Sequence, residues 1–197
     1  MSENQSFSTY AITLYFDEIT TMQIRRLMAD FADVTGNDYM TVNDVPPHLT
    51  LGMFHAIEAD VGKLKTLFED FVSAVREGDF SFDISFSGFE SFLDKVIFIK
   101  PEVDETLSSL NKMLHEKFLP HFEAADNRNY LPGNWYPHIA LGVKLSHEQF
   151  EKGMDFLKTV DFSLKASVIS IGLASCNPYT RVCDYEIENG ALRGRQV

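Results

Sequence analysis

PPHLTL, residues 46–51, and WYPHIAL, residues 135–141, repeat one proline–histidine–aliphatic phrase ninety positions apart in a single chain. Side chains of a strand alternate between its two faces. In the first copy Leu49, Leu51 and Met53 are therefore expected to pack on helices, with His48, Thr50, Gly52 and Phe54 on the other face. In the second, Ile139, Leu141, Val143 and Leu145 face inward, and His138, Ala140, Gly142 and Lys144 share the free face. The chemical difference is Ala140 where the first copy has Thr50.

The surrounding sequence repeats with the phrase. Residues 10–16 read as a strand, and Met22, Ile24, Leu27, Met28 and Phe31 mark a helical stripe. After the first motif, Leu64, Leu67, Phe68, Phe71, Val72 and Val75 predict an amphipathic helix. Phe80, Phe82, Ile84 and Phe86 then alternate with Ser81, Asp83 and Ser85, the pattern of a half-buried strand. The second half gives a strand at 95–100, a helical stripe from Leu107 to Phe118, a polar loop at 123–133, and the motif strand at 138–145. A helix through Phe150, Met154 and Leu157 follows, with Ser146 as its N-cap, then a strand at 163–174 that pairs with 183–188 across the NPYT turn. Each half reads β-α-β-α-β. The expected architecture is α+β: a bilobal, pseudo-twofold duplication with mostly antiparallel sheets around a central cleft. Residues 1–197 would form one domain, with lobes near 1–92 and 93–197 that exchange strands.

Composition narrows the function. The chain has 197 residues, enough for a sizeable core, and its formal net charge is −12. Long nucleic acids are bound through basic surfaces that release counterions, so tight binding of long RNA or DNA is not expected. The two cysteines, Cys176 and Cys183, make neither a zinc framework nor a disulfide scaffold. The stretch MSENQSFSTYAITLYF lacks the basic and apolar regions of a signal peptide, and no run is long enough for a membrane span. A cytoplasmic monomer without membrane association is the expectation. His115 and His121 lack the i, i+4 spacing of a helical metal pair, so no metal site is expected. The acidic runs at 102–105 and 184–188 read as solvated surface, and Trp135 as an anchor for the second motif strand.

If the two free faces meet across a groove, His48 and His138 lie on opposite walls. An unperturbed imidazole titrates near pH ~6.5, so one can serve as general base and the other as general acid at a phosphodiester. Thr50 can donate to a non-bridging phosphate oxygen. Phe54 is a base-stacking candidate.

PHLTL and PHIAL resemble the paired His-x-Thr/Ser-x motifs of the two-histidine phosphoesterases, the superfamily that includes bacterial 2′-5′ RNA ligases and cyclic nucleotide phosphodiesterases. The lead-in YLPGNWYPHIAL is similar to the segment before the second motif of bacterial members. The resemblance implies a bilobal fold with facing histidines and a metal-independent reaction on 2′-phosphodiester or cyclic phosphate linkages. It makes His48 and His138 the acid–base pair, without assigning which is which, and Thr50 a phosphate ligand. The implied role is RNA processing on a small nucleotide or short RNA end, without cofactor and unaffected by EDTA. Ala140 departs from the pattern, because a methyl group cannot donate to phosphate. Three readings stay open: Lys144 or Arg181 supplies the phosphate contact, the substrate makes a different second contact, or the site has become a non-catalytic nucleotide- or phosphate-binding module.

Overall fold

The computed structural model describes residues 6–78, 80, 82–188 and 191–195. The first half runs β1 (Ser8–Phe16), α1 (Glu18–Thr35), a short α2 (Tyr39–Val42), β2 (His48–Ala56), α3 (Val61–Glu77) and β3 (Asp83–Phe92). The second runs β4 (Val96–Pro101), α4 (Glu105–Phe118), a two-residue β5 (Glu123–Ala124), β6 (Ile139–Gly142), α5 (His147–Leu157) and β7 (Leu164–Cys176). β8 (Tyr179–Glu188) and β9 (Ala191–Arg195) follow. The expected β-α-β-α-β order is present in both halves, with α2, β5 and β9 as additions. β3 begins later than Phe80, and Ser81 and residues 1–5 lie outside the described residues.

Local chemistry sets the helix ends. The Asp17 carboxylate accepts from the Thr20 amide at 2.8 Å to open α1, and Gly36, at φ 70°, closes it in the left-handed conformation glycine adopts without strain. Ser146 and Gln149 form the capping box of α5, so the expected N-cap is in place.

The strands form one antiparallel sheet in the order β5-β2-β1-β7-β3-β4-β6, with β8 and β9 continuing from β7. Exchanging β1, β2 and β3 for β4, β6 and β7 reverses the path β2-β1-β7-β3-β4-β6 onto itself, as a duplicated fold requires. The helices cross over. α4 of the second half packs on β2 of the first and against α3, while α1 of the first half packs on β6 and against α5. Leu64, Phe68, Phe71 and Leu114 on one flank, and Ile24, Phe31, Ile97 and Leu157 on the other, belong to one continuous apolar core. Each such fully buried side chain contributes roughly 1.5–3 kcal/mol of transfer free energy. Among the described residues no helix is long and apolar enough to cross a membrane.

Candidate active site

The two motif strands carry the same irregularity. β1 pairs Ala11 with Met53, Thr13 with Thr50 and Tyr15 with His48, so three residues on β2 match two on β1 at one step. The extra residue is Leu51, a β-bulge. On β4, Ile97 pairs with Gly142 and Phe98 with Ala140, leaving Leu141 as the corresponding extra residue. A bulge shifts the inside–outside alternation by one. His48, Thr50 and Met53 therefore share the cleft face, as do His138, Ala140 and Val143.

This corrects the strict alternation expected from sequence. Gly52 and Gly142 do not face a substrate; they face helices. A Cβ on Gly52 would lie 2.8 Å from Leu114 and 3.0 Å from His115 on α4, and one on Gly142 would lie 2.5 Å from Phe31 on α1. Phe54 is fully buried, stacked on Phe118 at 4.9 Å, and so is part of the core rather than a base-stacking residue. Lys144 lies beyond the end of β6 at φ 56°, and its ammonium donates to the Tyr39 hydroxyl at 3.2 Å instead of lining the cleft.

His48 and His138 border one cavity of about 260 Å³, together with Thr50, Ala140, Tyr130 and Tyr179. Each ring is locked in the same way. His48 Nδ1 lies 2.7 Å from the Pro46 carbonyl, and His138 Nδ1 lies 2.9 Å from the Tyr136 carbonyl, each two residues upstream. A carbonyl only accepts, so Nδ1 carries the proton and the lone pair of the neutral ring is on Nε2. Aromatic neighbours hold the planes. Tyr179 lies 5.3 Å from His48, and Phe92 and Phe98 lie 5.0 and 5.2 Å from His138.

Removal from water pulls His48 down to about 4, opposed by the Pro46 bond and reinforced by the nearby His138 and the Arg181 charge. Burial also lowers His138, against the Tyr136 carbonyl and the Asp126 carboxylate, which favour its imidazolium. The surroundings of the two rings thus carry opposite charges: a guanidinium beside His48 and a carboxylate beside His138.

Arg181 is close to His48 but is also held by its own neighbours, stacked 3.8 Å from the Tyr15 ring centroid and 3.7 Å from Asp184. Asp184, expected on the solvated surface, is buried. Thr50 is 7% exposed, with its hydroxyl against the Tyr130 phenol. Burial raises Tyr130 well above the usual phenol range, so it stays a donor. Behind the motif, the Asn111 amide donates to the carbonyl of the bulged Leu51 at 2.7 Å and to that of Tyr130 at 2.9 Å. Trp135 donates its indole N–H to the Thr50 carbonyl at 3.0 Å, a bond between the lead-in of the second motif and the strand of the first. Tyr130, Tyr179, Asp126 and Asn111 were not singled out by sequence reasoning. Tyr130 and Tyr179 carried a signal only through their places in the YLPGNWYPHIAL lead-in and the NPYT turn. Among the described residues no group of three or more His, Cys, Asp or Glu side chains is placed to hold a metal ion.

A family model described as the 2′-5′ RNA ligase superfamily matches residues 17–177. Two Geobacillus relatives carry the name "Putative phosphoesterase". The protein of Geobacillus thermodenitrificans (strain NG80-2) is 30% identical over 122 residues, covering 56% of this chain and 67% of its own. That of Geobacillus sp. (strain WCH70) is 28% identical over 149 residues, covering 75% and 74%. In fold, the chain is similar to E. coli LigT complexed with 3′-AMP, with a TM-score of 0.54 and 14% identity over 98% of this chain and 96% of that one.

Proposed function

The chain belongs to the 2′-5′ RNA ligase superfamily, and from that premise we propose that it is a phosphodiesterase acting on a 2′,3′-cyclic phosphate or 2′-5′ phosphodiester of a nucleotide or short RNA end. One observation carries this reading: two imidazoles with matching Nδ1 locks border one cavity beside Thr50. Supporting it, the LigT structure of similar fold holds 3′-AMP.

In hydrolysis of a cyclic phosphate, one imidazole takes a proton from water as the water oxygen bonds to phosphorus. The other gives its proton to the departing ribose oxygen as the P–O bond breaks. The Arg181 charge disfavours an imidazolium at His48, and the Asp126 carboxylate favours one at His138. His48 is therefore the base and His138 the acid in this direction, and the roles exchange in the reverse reaction. Thr50 donates to one non-bridging oxygen. The donor missing at Ala140 comes from the Tyr130 phenol, which borders the cavity beside it. A lost donor of this kind costs roughly 2.7–4 kcal/mol of transition-state stabilisation, so a replacement matters.

The test is turnover of the four 2′,3′-cyclic nucleotides in EDTA, with His48→Ala and His138→Ala alongside. Loss of turnover in both variants supports the paired-histidine mechanism, and turnover that survives either one refutes it. Ala140 favours a second reading, a nucleotide-binding module without catalysis. Nucleotide binding with no turnover across a panel of 2′,3′-cyclic and 2′-5′ substrates would establish that alternative.

A further inference from the structure

A second cavity, of about 400 Å³, adjoins the histidine cavity and shares His138, Tyr130, Ala140 and Val143 with it. Its outer wall is made of different chemistry: the rings of Phe92 and Tyr136, the amides of Asn129 and Asn134, and the carboxylate of Asp126. We propose that this cavity is a base subsite that selects guanine, with Asp126 accepting from the guanine N1–H and 2-amino group. The proposal deepens the phosphodiesterase reading and rests on it in placing the phosphate at the histidines.

Three features support it. The Tyr136 ring is fixed, its hydroxyl donating to Glu90, which Lys100 also grips at 2.5 Å, while Phe92 meets it edge-on at 5.7 Å. A fixed aromatic surface is what a base stacks on. Asp126, Asn127 and Arg128 all have φ between 51° and 66°, a run of left-handed residues that L-amino acids seldom adopt. Asp126 is exposed at the rim of this cavity, and among the described residues no hydrogen bond or ion pair engages its carboxylate, so its oxygens are open to a ligand.

The ligand must offer donors to that carboxylate. Guanine presents two adjacent donors on one edge, whereas adenine presents an acceptor at N1. The charges also orient the substrate. A phosphate is repelled by Asp126, so the base occupies the cavity that Asp126 lines and the phosphate the adjoining one that both histidines line.

The experiment measures binding of the 3′-monophosphates of guanosine, inosine, adenosine and cytidine by calorimetry, and kcat/KM for the matching 2′,3′-cyclic nucleotides. Inosine lacks only the 2-amino group. Hydrogen bonds to an exposed carboxylate, which water also solvates, predict guanosine binding about 3- to 10-fold tighter than inosine or adenosine. Asp126→Asn, which the left-handed conformation accommodates, brings the guanosine-to-inosine ratio to near one. The ratio separates base recognition from any effect of Asp126 on His138, because a change in His138 scales every nucleotide alike. Turnover without guanine preference, or a preference that survives Asp126→Asn, overturns the subsite and leaves the phosphodiesterase reading standing. Guanine-selective binding without turnover of these cyclic nucleotides or of 2′-5′-linked dinucleotides overturns that reading and keeps the subsite, and no binding of any nucleotide overturns both.

Discussion

Asn111 is a small side chain with a large structural role, and its replacement tests how the cleft is held. Its amide nitrogen donates to Leu51, the bulged residue of the first motif, and to Tyr130, whose phenol borders both cavities. The side chain is 2% exposed, so water cannot replace these bonds without rearrangement. Each bond contributes about 0.5–1.5 kcal/mol net, and an abandoned buried carbonyl costs about 1–3 kcal/mol. Asn111→Ala is therefore expected to destabilise the protein by about 2–4 kcal/mol.

Asn111→Asp should do worse at neutral pH, although it keeps the shape. A carboxylate has no donor and would face two carbonyl oxygens, with an added repulsion on the order of 1 kcal/mol. Only its protonated form can donate, so its folded pKa is raised above the unfolded value near ~3.9. The sign follows from proton linkage: stability is fully present below the unfolded pKa and is lost as pH rises through the folded one. Urea unfolding of both variants at pH 5 and pH 8 checks this. Asp should be the less stable substitution at pH 8 and should gain on Ala at pH 5, with unchanged m values. An Asp variant within about 0.5 kcal/mol of wild type at pH 8 would refute the donor role assigned to Asn111.

Other perturbations probe the rest of the site. His48 is depressed from 6.5 to about 4, so between these values the unfolded chain binds the extra proton and acidification destabilises the fold. Between pH 7 and 4.5 wild type should lose more stability than His48→Asn, by up to on the order of 3 kcal/mol in urea unfolding, and equal losses would contradict the shift. With both imidazoles held low, kcat/KM should decline from mildly acidic toward alkaline pH as the general acid loses its proton; a flat profile from pH 5 to 8 would argue against it. Gly142→Ala should cost about 1–3 kcal/mol by overpacking Phe31, whereas Gly62→Ala, with nothing within 4 Å, should gain about 0.5–1 kcal/mol from helix propensity, both read as Tm shifts. Phe54→Ala should cost about 3–5 kcal/mol as a core deletion while leaving any preference among bases unchanged.

Much of the fold was legible because its signals are periodic. The stripes of α3 and α4 and the Ser146 cap read directly, and the two Pro-His phrases marked corresponding strands. The bulges did not read, since a period-two pattern gives no notice of one inserted residue. That single displacement moved Phe54 and both motif glycines to the core face and brought Met53 and Val143 to the cleft. In hindsight each motif places glycine two residues beyond Thr50 or Ala140, where the turned strand meets a helix. Asp126 and Tyr130 come from a stretch without periodicity, and their position depends on backbone conformation that composition does not specify.

If the proposed reaction holds, the segments outside the repeat account for how a repeated frame hosts an unsymmetrical reaction. In the proposed mechanism, acid–base cleavage uses two imidazoles on opposite sides of one phosphorus, in different protonation states. The repeated strands supply the first requirement, with the same bulge and the same Nδ1 lock in both copies. The second comes from elements with no equivalent in the other half. Arg181 is on β8, appended after the repeat, and Asp126 and Tyr130 are on the connection between β5 and β6. On this reading Ala140 follows from the same division. Once the connection brings a phenol beside the second motif, a hydroxyl on the strand is no longer needed there, whereas Thr50 on the other strand still is. Ala140→Thr should then raise kcat/KM by less than about threefold in wild type and restore at least about tenfold in Tyr130→Phe, because the two hydroxyls serve one phosphate oxygen. Equal gains in both backgrounds would mean that Tyr130 contacts the substrate elsewhere.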